Sequence, residues 1–269
     1  MITIISSLVI SAILFSLVYF VAGVSLGWSI FFALLGFGVI QALIGFLIQK
    51  RIKRDMEAVQ YILLEGQKKL QAKMQRWQIS PPGSMKAAQK EIFEDTKVFV
   101  KAALKETEIL SKYKYFVPMI ERQKATAQLQ LNWMIKNFKA VDELMPKALF
   151  LDPSLSAIKM ARMYTLEKPL EEIEKIYKKA VRRLRYNQNV LLASTWSWML
   201  VKRGKDEEAQ KVLNEALKSS DDKTLKANLL TLQNKCPGHF SNSALGDQWY
   251  TLYLEEPRYR TQRQHQVYR

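Results

Sequence analysis

The sequence predicts an all-α protein in which an N-terminal transmembrane helical hairpin carries a soluble helical domain. Three observations predict it. Residues 1–49 contain no Lys, Arg, Asp or Glu, so the whole net charge of +16 lies in residues 50–269. Only 10 Gly and 8 Pro are spread over 269 residues, a composition that suits neither a turn-rich β protein nor a disordered one. Beyond residue 50 the apolar side chains recur at spacings of three, four and seven, the period of a helix with one buried face.

The first apolar run, residues 2–22, is long enough to cross a hydrocarbon core of about 30 Å as a helix. Gly23-Val24-Ser25-Leu26-Gly27 follows, then a second apolar run over residues 28–48. So short a connection permits only a tight hairpin, bracketed by the interface-favouring rings of Tyr19 and Trp28. The first run lacks the basic leader and small-residue cleavage site of a signal peptide, and a second span follows it at once, so an uncleaved anchor is expected. Lys50, Arg51, Lys53 and Arg54 close the second span. Positive residues there are retained on the cytoplasmic side, which places both termini in the cytoplasm, the bacterial inner membrane being the expected setting. Small residues recur along the second span at Ser29, Ala33, Gly38, Ala42 and Gly45, with Gln41 the strongly polar side chain among them. They suit close helix packing, either within the hairpin or between copies or subunits. Neither span carries an ionisable group, so an ion or proton pathway has no support.

Residues 50–79 read as a basic amphipathic helix leaving the membrane. Met56, Val59, Leu63, Leu70, Met74 and Trp77 form its apolar stripe. Lys68, Lys69, Lys73 and Arg76 join Lys50, Arg51, Lys53 and Arg54 as candidate contacts to anionic lipid headgroups, each contributing about 1 kcal/mol near such a surface. The same stripe serves equally to pack the helix on the following domain. Ser80-Pro81-Pro82-Gly83-Ser84 is a linker where helix cannot continue, with Ser84 the cap of the next helix. That helix has Ile92, Thr96, Phe99, Ala103, Thr107 and Leu110 as its stripe. The helical domain is expected over residues 85–235 and a C-terminal tail over 236–269.

Within that domain the segment Trp196-Ser197-Trp198-Met199-Leu200-Val201-Lys202-Arg203-Gly204-Lys205-Asp206-Glu207-Glu208-Ala209, with Leu213 and Ala216 after it, resembles the tetratricopeptide repeat, a pair of antiparallel helices. Gly204 falls at the turn and Ala209 at the small position where the helices cross. Residues 140–153, ending in Ala148-Leu149-Phe150-Leu151-Asp152-Pro153, resemble the second half of another copy. Ala161, Tyr164, Ile173, Tyr177 and Ala180 fit a third, turning at Lys168-Pro169-Leu170. Copies are placed at 122–153, 154–188 and 190–222, with a capping helix over 224–235. Ile173 replaces the usual small residue, and the Trp-x-x-Leu-Gly opening is absent. The resemblance implies an α-solenoid whose concave face accepts a peptide or helix. It directs Gln130, Trp133, Lys159, Arg162, Ser194, Trp198 and Lys202 to that face. Aromatics beside cations suit an acidic or C-terminal peptide, although the family's Lys/Asn carboxylate clamp is not reproduced. Trp133 and Trp198 serve equally well as packing residues.

Catalytic chemistry is thinly supplied. There are two histidines and one cysteine, so no internal disulfide, and Cys236-Pro237-Gly238-His239 lacks the paired ligands zinc requires. No glycine-rich phosphate loop or serine-nucleophile turn is present, so no catalytic residue, metal or cofactor is expected, and an enzyme is the weakest choice. Nucleic-acid binding has only the charge behind it and no recognition motif. Trp249, Tyr250, Leu252, Tyr253 and Leu254 form a cluster before Glu255-Glu256-Pro257, followed by the Arg/Gln/Tyr-rich residues 258–269. The cluster either docks back onto the domain or offers a peptide to another protein or RNA. The expected function is a membrane-anchored adaptor that recruits a protein partner, similar in layout to bacterial inner-membrane assembly and biogenesis factors. The alternative is a structural or assembly subunit of a membrane complex, associating through its spans as a homo- or hetero-oligomer.

Overall fold

The computed structural model describes residues 2–80 and 83–257, with the side chains of Ile2 and Met85 left aside. Among these residues every regular element is helical. Helix α1 (Ile2–Ser16) runs on through a π-helical turn (Leu17–Val21), and α2 spans Leu26–Ile79. Helices α3 (Met85–Thr107), α4 (Ile120–Met134) and α5 (Phe138–Leu144) follow. Then come α6 (Pro153–Thr165), α7 (Leu170–Val181), α8 (Val190–Lys202), α9 (Asp206–Leu217), α10 (Lys223–Gln233) and α11 (Asp247–Tyr250). The chain forms two compact units, Met1–Leu149 and Phe150–Arg269.

In the first unit α1 and α2 pair as a hairpin. Gly23 at the turn has φ +64°, a left-handed conformation that glycine adopts without steric cost. The seam between the helices is built from small and polar groups. Ser7 Oγ donates to Gln41 Oε1 at 2.9 Å, and Ser11 Oγ donates to the Ala33 carbonyl at 2.6 Å. Leu14 fills the space that a Cβ at Gly36 would need. The outward surface is apolar and open, with Phe20 76% and Phe46 66% exposed. With its π-helical turn α1 is, like α2, long and apolar enough to cross a membrane. The expected small-residue set divides here. Ser29 is buried and Ala33 and Gln41 lie in the seam, whereas Gly38 and Ala42 are exposed and Gly45 has open space at its Cβ position.

Helix α2 continues without a break for 54 residues, about 80 Å, so residues 50–79 run on from the second apolar stretch as one helix, as their pattern predicts. Its distal half shares a core with α3 and α4: Val59, Val100, Ala103, Leu131 and Ile135, flanked by Ile62, Leu63, Phe99 and Met134. Gly66 lets the Phe99 ring seat directly on the helix backbone. Lys73 bridges Glu91 and Asp95 of α3. Ser84 caps α3 by accepting from the Ala87 N–H at 3.1 Å. Pro81 and Pro82 of the expected linker lie outside the described residues. Because α2 is part of this core, the compact unit extends from the hairpin through Leu149, and the expected 85–235 domain straddles the boundary. Helix α5 is short and stops at Leu144, just before Pro146, whose ring and missing N–H prevent continuation.

The second unit consists of the pairs α6/α7 and α8/α9, then α10 and the returning C-terminal segment. Asp152 caps α6 through the Ser154 N–H at 2.6 Å, with Pro153 at the first helical position. Gly204, φ +70°, turns the chain between α8 and α9. Helix α8 is the axis of the core: every residue from Leu191 to Leu200 is buried. Ile173, at a position where the repeat pattern has a small residue, is fully buried beside this core.

Candidate binding face on the second unit

The best-defined cluster of aromatic and polar side chains is built on α8. Trp198 is 6% exposed and meets the Tyr164 ring of α6 edge-on at 5.6 Å between centroids. Lys202, one turn on, holds its ammonium 5.3 Å from the Trp198 ring centre, and the Arg203 guanidinium lies 5.5 Å from that of Tyr164. Such cation–aromatic contacts contribute about 0.5–1 kcal/mol at exposed sites.

The chain beyond α10 returns to this cluster. Asn242 is buried, donates to the Ser194 carbonyl at 2.9 Å and accepts from Asn228 at 2.8 Å. After Gly246 (φ +57°), α11 delivers Trp249, which is wholly buried and packs edgewise on Trp198 at 5.5 Å. Glu255 then completes the arrangement. Its two carboxylate oxygens accept from the indole N–H groups of Trp198 at 2.8 Å and Trp249 at 2.9 Å. An indole N–H can only donate, and a buried one without a partner is costly, so one carboxylate satisfies both rings. Burial also pushes the neighbouring Tyr253 phenol up from its usual range.

The seven residues expected along a groove therefore fare differently. Ser194 and Trp198 lie beneath the protein's own C-terminal segment and are packing positions, with Ser194 Oγ buried and lacking a hydrogen-bond partner. Lys202 is exposed at the rim, and Arg162 is half-buried on α6. Lys159 is also half-buried, with its ammonium 4.6 Å from the Phe150 ring centre, and burial together with the Lys179 charge pushes its pKa down. Gln130 and Trp133 belong to the first unit, where Gln130 is exposed and Trp133 is buried against Phe138 at 5.4 Å. Sequence reasoning placed the 249–254 cluster as a docking segment or a ligand but missed Glu255 and Asn242 as its polar locks. Glu255 reaches Trp198 across 57 residues, a separation with no local signal.

The eight basic residues expected at headgroups also divide. Lys50, Arg51, Lys53 and Arg54 are exposed just beyond the apolar stretch of α2. Lys68 begins about 21 Å further along the same unbroken helix. Lys69 pairs with Glu65 at 2.8 Å and Lys73 with Glu91 and Asp95, while Arg76 is exposed near the helix end. Tail residues 258–269 lie outside the described residues. Among the described residues no group of three or more His, Cys, Asp or Glu is placed to hold a metal ion. Comparison with known protein families, with curated proteins and with solved structures finds no match.

Proposed function

We propose that this chain is a membrane-anchored helical scaffold that recruits a protein partner. The α1–α2 hairpin spans a bilayer with both ends on the cytoplasmic side, and tetratricopeptide-like helix pairs hold an acidic segment on the face around Trp198. One observation carries this: that face already holds a carboxylate, Glu255, between two indole N–H groups, with Lys202 and Arg203 at its rim. In the free chain Glu255 fills the slot itself. An acidic partner competes with it or extends along the cationic rim, and a tethered competitor acts at an effective concentration on the order of millimolar. Lys50, Arg51, Lys53 and Arg54 supply the headgroup contacts. Lys68 and the basic residues after it begin more than two Debye lengths beyond Arg54, each about 8 Å at physiological ionic strength, and Lys73 ties α2 to α3 instead.

Copurification from gently solubilised native membranes tests this, using the intact chain, a Lys202→Glu/Arg203→Glu variant and Glu255→Ala. The charge reversal is expected to lose a specific cytosolic protein that Glu255→Ala keeps or enriches. An identical cytosolic set in all three variants overturns recruitment through this face. A second function is favoured by the outward exposure of Gly38 and Ala42, four residues apart on α2, which suits a subunit associating laterally through its spans. Partners that are all membrane proteins, and that disappear with Gly38→Leu, select it.

A further inference from the structure

The connection between α3 and α4 has a composition that the scaffold function leaves unused. Residues 111–119 read Ser-Lys-Tyr-Lys-Tyr-Phe-Val-Pro-Met. A loop in water ordinarily turns its large apolar groups inward, yet here Tyr115 is 63%, Met119 57% and Phe116 39% exposed, interleaved with exposed Lys112 and Lys114.

The loop is held firmly in this pose. Leu110 and Ile120 are each 1% exposed and pin its two ends. Lys124 donates to Glu108 at 2.6 Å and to Ser111 at 2.8 Å, tying the 3-10 turn Glu108–Tyr113 to α4. Tyr113 Oη donates to Asp55 Oδ2 at 2.8 Å, and the Thr3 hydroxyl lies 3.4 Å from the Phe116 carbonyl. Those two anchors fix the loop's level. Thr3 opens the first apolar span, and Asp55 directly follows the Lys50, Arg51, Lys53 and Arg54 cluster. The aromatic tip therefore stands where apolar helix surface gives way to basic helix surface.

We infer that residues 111–119 form a third membrane contact, docking Tyr115, Phe116 and Met119 into the cytoplasmic headgroup layer beside the hairpin, with Lys112 and Lys114 on anionic lipid. Amphipathic rings favour that layer, and lysines near it are drawn to its negative charge. The contact rests on the hairpin spanning the bilayer. It adds a fixed orientation: a loop bonded to both α1 and α2 holds the α2–α4 core at one height and one rotation against the lipid, which a hairpin alone does not.

Single-cysteine chains in a Cys236→Ser background, each carrying an environment-sensitive fluorophore, separate the two ideas after reconstitution into vesicles of phosphatidylcholine and phosphatidylglycerol. Nitroxide lipids at headgroup level and at mid-chain serve as quenchers. Val39→Cys reports the span, Tyr115→Cys the loop and Ile79→Cys the far end of α2, where Ile79 is 90% exposed. Mid-chain nitroxide is expected to quench Val39→Cys, headgroup nitroxide to quench Tyr115→Cys, and neither to quench Ile79→Cys. Phe116→Ser/Met119→Ser is expected to abolish quenching when added to the Tyr115→Cys chain and to leave it intact when added to the Val39→Cys chain. Quenching at Val39 with none at Tyr115 overturns the loop contact while the span stands. If Tyr115→Cys is instead shielded from aqueous iodide without lipid quenching, a protein surface covers it, and the inference falls in that direction. Loss of quenching at Val39 removes the spanning hairpin and the loop contact with it.

Discussion

Helices α1 and α8 are nearly interchangeable in composition and opposite in circumstance. α1 is Ile-Thr-Ile-Ile-Ser-Ser-Leu-Val-Ile-Ser-Ala-Ile-Leu-Phe-Ser, and α8 is Val-Leu-Leu-Ala-Ser-Thr-Trp-Ser-Trp-Met-Leu-Val-Lys. Both are apolar on every side, and both hide hydroxyls by donating to backbone carbonyls, as Ser11 does to Ala33 and Ser197 to Ala193. Yet Leu191 to Leu200 are all buried, whereas Ile5, Leu8, Val9 and Ile13 are each more than half exposed. A helix apolar all round needs either a core or a bilayer around it. At 13 residues, about 20 Å, α8 is too short to span, and the second unit surrounds it with protein. α1 touches α2 along a narrow seam and leaves the rest of its apolar surface exposed, as the proposed bilayer setting requires.

Substitutions that shrink side chains should separate the two environments most sharply. Trp249→Ala empties a fully buried site against Trp198 and is expected to cost the second unit about 3–5 kcal/mol, seen by chemical denaturation of the detergent-solubilised chain. Phe20→Ala, on the open face of the hairpin, should change the same unfolding curve by no more than about 0.5 kcal/mol. Equal losses would mean that the hairpin face is packed rather than solvated by detergent. Next in size is Glu255→Ala, which strands two indole donors and should cost about 1–3 kcal/mol, with Glu255→Gln recovering part of it. Gly66→Leu drives a side chain into the Phe99 ring and should cost about 1–3 kcal/mol in the first unit alone.

Tyr113→Phe tests the anchor between loop and α2. The phenol lies above its usual range, chiefly through burial and then through its bond to Asp55. A group whose folded pKa is raised contributes stability that is present below its ordinary value, about 10, and is lost as pH rises through the folded value. Wild type should therefore exceed Tyr113→Phe by about 1 kcal/mol at neutral pH and converge with it in strong alkali. A gap that persists or widens there would assign the difference to packing instead.

These contrasts also show which parts were legible in the residues. The charge step at Lys50 locates the end of the apolar hairpin because it is a change of composition readable residue by residue, and Gly204, Asp152 and Pro153 mark turns through backbone chemistry local to themselves. The role of residues 50–79 was open because an apolar stripe has the same period whether it faces lipid or α3. The burial of Val59 against Val100 and Ala103, with the Phe99 ring seated on Gly66, favours the protein. Which side of α8 faces outward was illegible for a related reason: with all its faces apolar, no register is preferred, so Ser194 and Trp198 were assigned to a groove that the tail covers. Asp55 with Tyr113 and Trp198 with Glu255 are separated by 58 and 57 residues, and nothing local announces either pair.

A smaller effect than that of Tyr113→Phe is expected in the hairpin seam. Gln41 accepts from Ser7, a bond that no water can replace if hydrocarbon surrounds it. Hydrogen bonds between membrane helices are nonetheless worth only about 0.6 kcal/mol on average, because separated helices find other partners within the bilayer. Here the alternative acceptor is on the same helix, since the single Ser7 hydroxyl proton has the Thr3 carbonyl within reach as well as Gln41. Gln41→Leu should thus weaken the hairpin by less than about 1 kcal/mol, read from the distance distribution between labels on α1 and α2 in vesicles. Gly36→Leu should open it further, because it displaces Leu14 and leaves no compensating contact. If Gln41→Leu proves the more damaging of the two, the seam is held by its polar lock rather than by close packing, and the contrast drawn between α1 and α8 narrows to one of solvent alone.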